Sequence, residues 1–118
     1  MRAAIDSYDQ AWNAPDADSR LSFLEAALSD DCELIEPNGR FAGRLEILER
    51  IAGFANRFPG ARVKIATDID AHSGFARYGW EIVDPQGKLL LEGIDVVEAS
   101  SDGRIQRILM FFGILSTT

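Results

Sequence analysis

A chain of 118 residues is the length of one domain, with room for a single core and one internal pocket. Its 47% hydrophobic and 26% charged residues are ordinary for a globular protein. The formal net charge of −7 argues against nucleic acid or an anionic membrane surface as a partner, since both require a basic patch.

The first predicted helix covers 2–13, where Ile5, Tyr8 and Trp12, flanked by Ala4 and Ala11, form one apolar stripe. Asn13-Ala14-Pro15 ends it, and a second helix starts near Asp18 or Ser19 with Leu21, Leu24 and Leu28 on one side. Ser29-Asp30-Asp31 closes that helix. Residues 32–36 then alternate as a short strand, and Pro37-Asn38-Gly39 is a turn. A third helix over 44–58 places Ile47, Ile51, Phe54 and Phe58 on one face, and Pro59-Gly60 breaks it. Beyond residue 61 the period changes from about 3.6 to 2. Val63, Ile65, Thr67 and Ile69 alternate with polar or small residues, as do Tyr78, Trp80 and Ile82 after the turn at His72-Ser73-Gly74. Asp84-Pro85-Gln86-Gly87 and Ser101-Asp102-Gly103 are hairpin turns flanking strands over roughly 88–98 and 104–112.

Three helices followed by a strand meander predict an α+β domain spanning 1–118, with the helices covering one face of a curved antiparallel sheet. The last two strands are apolar on both sides. Leu89, Leu91 and Val97 share one face and Leu90, Ile94 and Val96 the other, while Ile108, Met110 and Phe112 oppose Ile105, Leu109 and Phe111. A sheet covered on one side should show one polar face, so the outer face is expected to pack against a second copy in a homodimer.

The single cysteine, Cys32, permits no intrachain disulfide and reads as a small core residue. The acidic start and the lack of any membrane-length apolar run suit a cytoplasmic protein. Arg40, Arg44, Arg50, Arg57 and Arg62, interspersed with acids, read as a solvated face. Arg77 and Glu81 lie opposite Tyr78 and Trp80 and suit ion pairs to neighbouring strands or a dimer mate.

Four polar residues fall where the apolar pattern suggests a concave interior. Tyr8 lies on the buried stripe of the first helix and reads either as a core tyrosine or as a pocket donor. Glu36 shares its strand face with Leu34, and reads equally as a solvated strand end before Pro37 or as a pocket carboxylate. Asp95 continues the face of Leu89, Leu91 and Gly93, where a carboxylate must be paired, protonated or set in a wet cavity unless a β-bulge turns it outward. His72, the one histidine, closes a strand before a turn and reads as a turn or rim residue. No His/Cys/carboxylate spacing suits a metal, no Gly-x-Ser-x-Gly marks a nucleophile, and no phosphate loop is present, so no cofactor is expected.

The segments "YDQAWNAPD", "SDDCELIEPNGRFAGRLEIL" and "GIDVVEASSDGRIQRILMFF" resemble the nuclear transport factor 2-like superfamily, in its SnoaL-like polyketide cyclase and ketosteroid isomerase-like branch. The stretch "FPGARVKIATDIDAHSGFARYGWEI" resembles a group of bacterial members without a settled function. The resemblance implies a cone: a strongly bent sheet wrapped around helices, enclosing a deep apolar pocket for a small apolar molecule, in a dimer. Matched position by position, it also implies that Tyr8 and Asp95 are donors to an enolate oxygen and that Glu36 shuttles the proton, one methylene longer than the Asp usual there. The expected pocket wall comprises Trp12, Phe23, Leu34, Ile51 and Phe54 from the first half of the chain, with Tyr78, Trp80, Val97, Met110 and Phe112 from the second. The expected function is isomerase- or cyclase-type acid–base chemistry on a carbonyl compound. The alternatives are a non-catalytic binding or assembly module, a dehydratase using His72 as base, and an epoxide hydrolase, which needs an Arg between two acids in the pocket.

Overall fold

The computed structural model describes residues 1–115. Helix α1 (Arg2–Asn13) buries Ala4, Ile5, Tyr8, Ala11 and Trp12, the stripe that the 3.6-residue period predicts. Helix α2 (Ala17–Ala27) begins slightly earlier than expected, because Asp16 rather than Asp18 or Ser19 is the cap: its carboxylate accepts the Ser19 amide at 2.8 Å. The chain passes directly from α2 into β1 (Leu28–Glu36), so Ser29-Asp30-Asp31 belongs to the strand rather than to a helix end. The Arg44 guanidinium stabilises this junction, donating to the Leu28 carbonyl and pairing with Asp30. A short strand β2 (Gly39–Ala42) folds back on β1 and leads into α3 (Gly43–Arg57).

Strands β3 (Arg62–Ile65), β4 (Asp70–His72), β5 (Phe75–Val83), β6 (Leu89–Ala99) and β7 (Ile105–Phe112) complete a sheet of order β2-β1-β7-β6-β5-β3, with β4 also paired to β5. The alternation expected through Ile69 breaks at Ile65. There Thr67 turns its hydroxyl to the Gly79 amide at 2.7 Å instead of continuing the ladder. The sheet is mixed rather than wholly antiparallel. β2 and α3 lie between β1 and the meander in the chain, and β7 comes back alongside β1 in parallel.

Register shifts bend the sheet in three places: between Leu28 and Glu33 on β1, at Ile82/Val83 on β5 and at Glu98/Ala99 on β6. The last shift turns Ile105 into the core, where it is fully buried, although simple alternation puts it outside. The shift on β5 leaves Leu90 unpaired between Leu89 and Leu91 and brings it to the concave side. Curvature closes the helices over one side of the sheet. Asn13 secures the far edge, its side-chain amide exchanging hydrogen bonds with the Val63 backbone at 2.7 and 2.8 Å.

On β5 the inward positions are Ala76, Tyr78, Trp80 and Ile82, all buried, and on β6 they are Gly93, Asp95 and Val97. Trp80 lies opposite Gly93, whose missing side chain is necessary: a Cβ there would collide with the Trp80 ring and the Phe111 carbonyl. The indole therefore lies across β6 and points its N–H two residues along the strand. Outward, Arg77 pairs with Asp70 on β4 at 2.9 Å and Glu81 with Lys64 on β3 at 3.4 Å. No helix among the described residues is long and apolar enough to cross a membrane.

Candidate functional site

Between the helices and the concave sheet lies a cavity of about 630 Å³, within the range of small-molecule sites. Its wall is rich in aromatic rings: Trp12 from α1, Phe54 and Phe58 from α3, Phe41 from β2, Tyr78 and Trp80 from β5, and Phe112 from β7. Trp12 and Phe54 stack edge to face with ring centres 5.6 Å apart, as do Trp80 and Phe112 at 6.2 Å. Rings of this kind hold the shape of the cavity and give it an apolar wall.

Three of the four polar residues singled out in the sequence meet here: Tyr8, Glu36 and Asp95 all line the cavity and are buried. Asp95 sits midway along β6, flanked by the two rings of β5. Trp80 Nε1 donates to its Oδ1 at 2.9 Å, and Tyr78 Oη donates to its Oδ2 at 3.1 Å. Burial pushes the Asp95 carboxyl up to about 7; the bonds from Tyr78 and Trp80 oppose that rise, and the charges of Asp9 and Glu36 add to it.

Glu36 ends β1 on the face of Cys32 and Leu34, where the turn at Pro37 fixes it at the cavity wall. Arg50 on α3 donates from Nε to Glu36 Oε1 at 2.9 Å, and its guanidinium lies 5.6 Å from the Trp12 ring centre. The other oxygen, Oε2, is buried without a protein partner. Tyr8 Oη is the second such atom among the described residues. Burial, reinforced by the nearby Asp95 charge, holds the Tyr8 phenol well above its ordinary pKa. The Trp12 indole lies close enough to favour the phenolate slightly, but not in hydrogen-bond geometry. Buried polar atoms are almost always partnered, so two orphans on residues that line one cavity mark it as a place where a polar ligand atom belongs.

His72 does not join this group. It is exposed on β4, bonded through Nδ1 to the Ser73 hydroxyl at 3.1 Å, and does not line the cavity. Of the expected apolar wall, Trp12, Phe54, Tyr78, Trp80, Met110 and Phe112 line the cavity. Leu34, Ile51 and Val97 do not: they are fully buried in the core behind it. Phe23 packs on the outside of that core.

The sequence reading missed Arg50 and Asp9 as site residues and took Arg50 for a solvated cation. Helical spacing carries the signal for both. Arg50 falls within the buried stripe Ile47-Ile51-Phe54, and Asp9 adjoins Tyr8 one turn after Ile5. Burial, with help from Asp6, raises the Asp9 carboxyl to about 6. Asn38 and Arg57 also reach the cavity mouth. Cys32 is inert, its thiol pushed up to about 12 by burial. No three His, Cys, Asp or Glu groups among the described residues are disposed to hold a metal ion.

A family model described as a SnoaL-like domain matches residues 5–108. The chain belongs to the SnoaL-like family. A family member from Agrobacterium tumefaciens, provisionally named an isomerase, superposes with a TM-score of 0.88 at 28% identity, over 94% of this chain and 95% of that one. A protein of unknown function with a cystatin-like fold from Methylobium petroleophilum reaches 0.77 at 23% identity, over 99% of this chain and 78% of that one. A provisionally named polyketide cyclase from Sinorhizobium meliloti reaches 0.71 at 15% identity, over 91% and 92%. The last two show the fold alone. Among curated protein sequences none matches significantly. This SnoaL-like domain thus has the nuclear transport factor 2-like cone expected of it.

The raised Asp95 carboxyl makes stability depend on pH. Because the folded protein holds that proton more tightly than the unfolded chain does, the stabilisation is complete below about pH 4 and is lost as the pH rises through about 7. Denaturant unfolding at a series of pH values should show a fall on the order of a few kcal/mol across that window. Asp95→Asn, which keeps both partners, should flatten most of it, leaving a smaller slope of the same sign from Asp9.

Proposed function

We propose that this SnoaL-like domain binds a small, largely apolar carbonyl compound and moves a proton next to its carbonyl, as an isomerase or cyclase does. The observation that carries this reading is the pair of orphaned buried atoms, Glu36 Oε2 and Tyr8 Oη, on two residues that line one apolar cavity together with Asp95. In the reaction, Glu36 Oε2 takes a proton from the carbon beside the carbonyl, and that C–H electron pair becomes the enolate C=C bond while the carbonyl π electrons move to oxygen. Tyr8, together with the Asp95 end of the cavity, stabilises the oxygen charge; Glu36 then returns the proton to another carbon of the conjugated system. No oxidant or cofactor is needed.

The division of labour follows from the partners. Arg50 binds Glu36 by Oε1 only, so the pairing orients the carboxylate and leaves Oε2 free to act as base. Preorganised donors in a site that excludes water stabilise an enolate far better than water does, and a single such donor is worth roughly 3 kcal/mol of barrier. The name of the Agrobacterium relative agrees with this class of reaction. A dehydratase driven by His72 finds no support, since His72 lies outside the cavity. The epoxide hydrolase arrangement also lacks its bridge: Arg77 faces outward, and Arg50 pairs with Glu36 alone among the described carboxylates.

Conversion of β,γ-unsaturated to conjugated ketones, followed by ultraviolet absorbance, tests the reading. The wild type should accelerate the reaction above buffer, Glu36→Gln should lower the rate by about 10²–10⁴, and Tyr8→Phe by about 10²–10³. A panel of enones with no acceleration by the wild type would favour a binding module on the same fold.

We also propose that the outer sheet face packs against a second copy. Ile94 and Phe111 are cross-strand neighbours there, as are Val96 and Leu109, and Phe111 is 55% exposed. Sedimentation should give a dimer for the wild type and a monomer for Phe111→Glu. A wild-type monomer at micromolar concentration would contradict it.

A further inference from the structure

The two bonds to Asp95 carry a consequence for the other end of the cavity. An indole N–H can only donate. Trp80 Nε1, at 2.9 Å from Oδ1, therefore holds that oxygen as an acceptor whether or not the carboxyl is protonated. The proton of a neutral Asp95 thus belongs on Oδ2, the oxygen 3.1 Å from Tyr78 Oη. A carboxylic acid is a far stronger acid than a phenol, so between these two oxygens the carboxyl donates and the phenol accepts. The phenol hydrogen must then point elsewhere. Tyr78 lines the cavity, and Asp95 is its one side-chain hydrogen-bond partner among the described residues.

We propose that Tyr78, rather than Asp95, is the second hydrogen-bond donor to a ligand oxyanion in the cavity, and that a proton on Asp95 Oδ2 turns its hydroxyl from the carboxyl towards that ligand. The inference rests on the cavity being an oxyanion site, as proposed above. Ionised Asp95 accepts from Tyr78 and leaves the ligand facing only the phenol lone pairs. Neutral Asp95 donates to Tyr78 Oη, and Tyr78 donates onward. The phenol keeps its own proton in both states, since burial holds it well above its ordinary pKa. Tyr8 Oη, unpartnered in the same cavity, supplies the first donor. Gly93 is part of the device, because only its missing side chain lets the Trp80 ring lie where it fixes Oδ1.

The other charged or titratable groups around the cavity are Tyr8 and Asp9 on α1, Glu36 on β1, and Arg50 and Arg57 on α3. Met110, opposite Asp95 on β7, carries no charge. Asp9 is the one competing switch in the same pH range, with a carboxyl at about 6.

The probe is 2,4-dinitrophenolate, an aromatic oxyanion ionised throughout the neutral range, with binding read from quenching of tryptophan fluorescence. Its affinity for the wild type should fall about tenfold or more as the pH rises through about 7. Tyr78→Phe should weaken low-pH binding by roughly 10- to 100-fold while unfolding at a similar temperature. Asp95→Asn places an amide N–H where Oδ2–H would be, so it should hold the tight, low-pH affinity across the whole range. Asp9→Asn should keep the wild-type step. Tight binding by Tyr78→Phe, a flat wild-type profile, or loss of the step in Asp9→Asn would each overturn the proposal. Failure of the wild type to bind at any pH would overturn it together with the oxyanion reading of the cavity, a result distinct from binding that ignores Tyr78.

Discussion

A carboxylate buried on the concave face of a sheet costs several kcal/mol unless the surrounding structure gives it donors or a proton. The architecture around β5 and β6 is arranged around that requirement at Asp95. Its two oxygens are met by Trp80 and Tyr78, both neutral donors, from the neighbouring strand. For Trp80 to reach, β6 must carry glycine at position 93. For Tyr78 and Trp80 to face inward together, β5 must keep strict alternation from Ala76 to Ile82. The aromatic wall of the cavity is thus also the solvent shell of its acid.

Glu36, at the other side of the cavity, is handled in the opposite way. Its partner is a guanidinium, supplied by α3 and steadied by the Trp12 ring. One carboxyl has only neutral donors and is pushed towards holding a proton; the other has a fixed positive charge beside one oxygen. Two titratable groups whose surroundings differ in this sense are the arrangement that lets a single cavity present both an acid and a base.

Much of this was legible in the sequence, for physical reasons that differ between elements. The stripe Ile5-Tyr8-Trp12 gives α1 with its boundaries, because a helix with one apolar face has a single way to bury it. The inward direction of Asp95 follows from alternation with Gly93 and Val97, since no bulge intervenes before Glu98. Where bulges do occur, alternation misleads: Ile105 turns into the core and Leu90 into the cavity. The parallel pairing of β1 with β7 is a tertiary choice with no local signature. Arg50 escaped notice because a charge among scattered charges looks solvated. Its position between Ile47 and Ile51 was the available clue, and only the packing of α3 on β1 turns that clue into a pair with Glu36.

The protonation of Asp95 is the central claim, and infrared spectroscopy reads it directly. The difference between wild type and Asp95→Asn isolates this carboxyl from Asp9 and from every surface acid. The difference spectrum should show the carbonyl stretch of a protonated carboxyl at about pH 6, fading as the pH rises through about 7 in favour of carboxylate bands. A spectrum with carboxylate bands alone at about pH 6 would contradict the account, because Asp95 would then be an ordinary ionised acid.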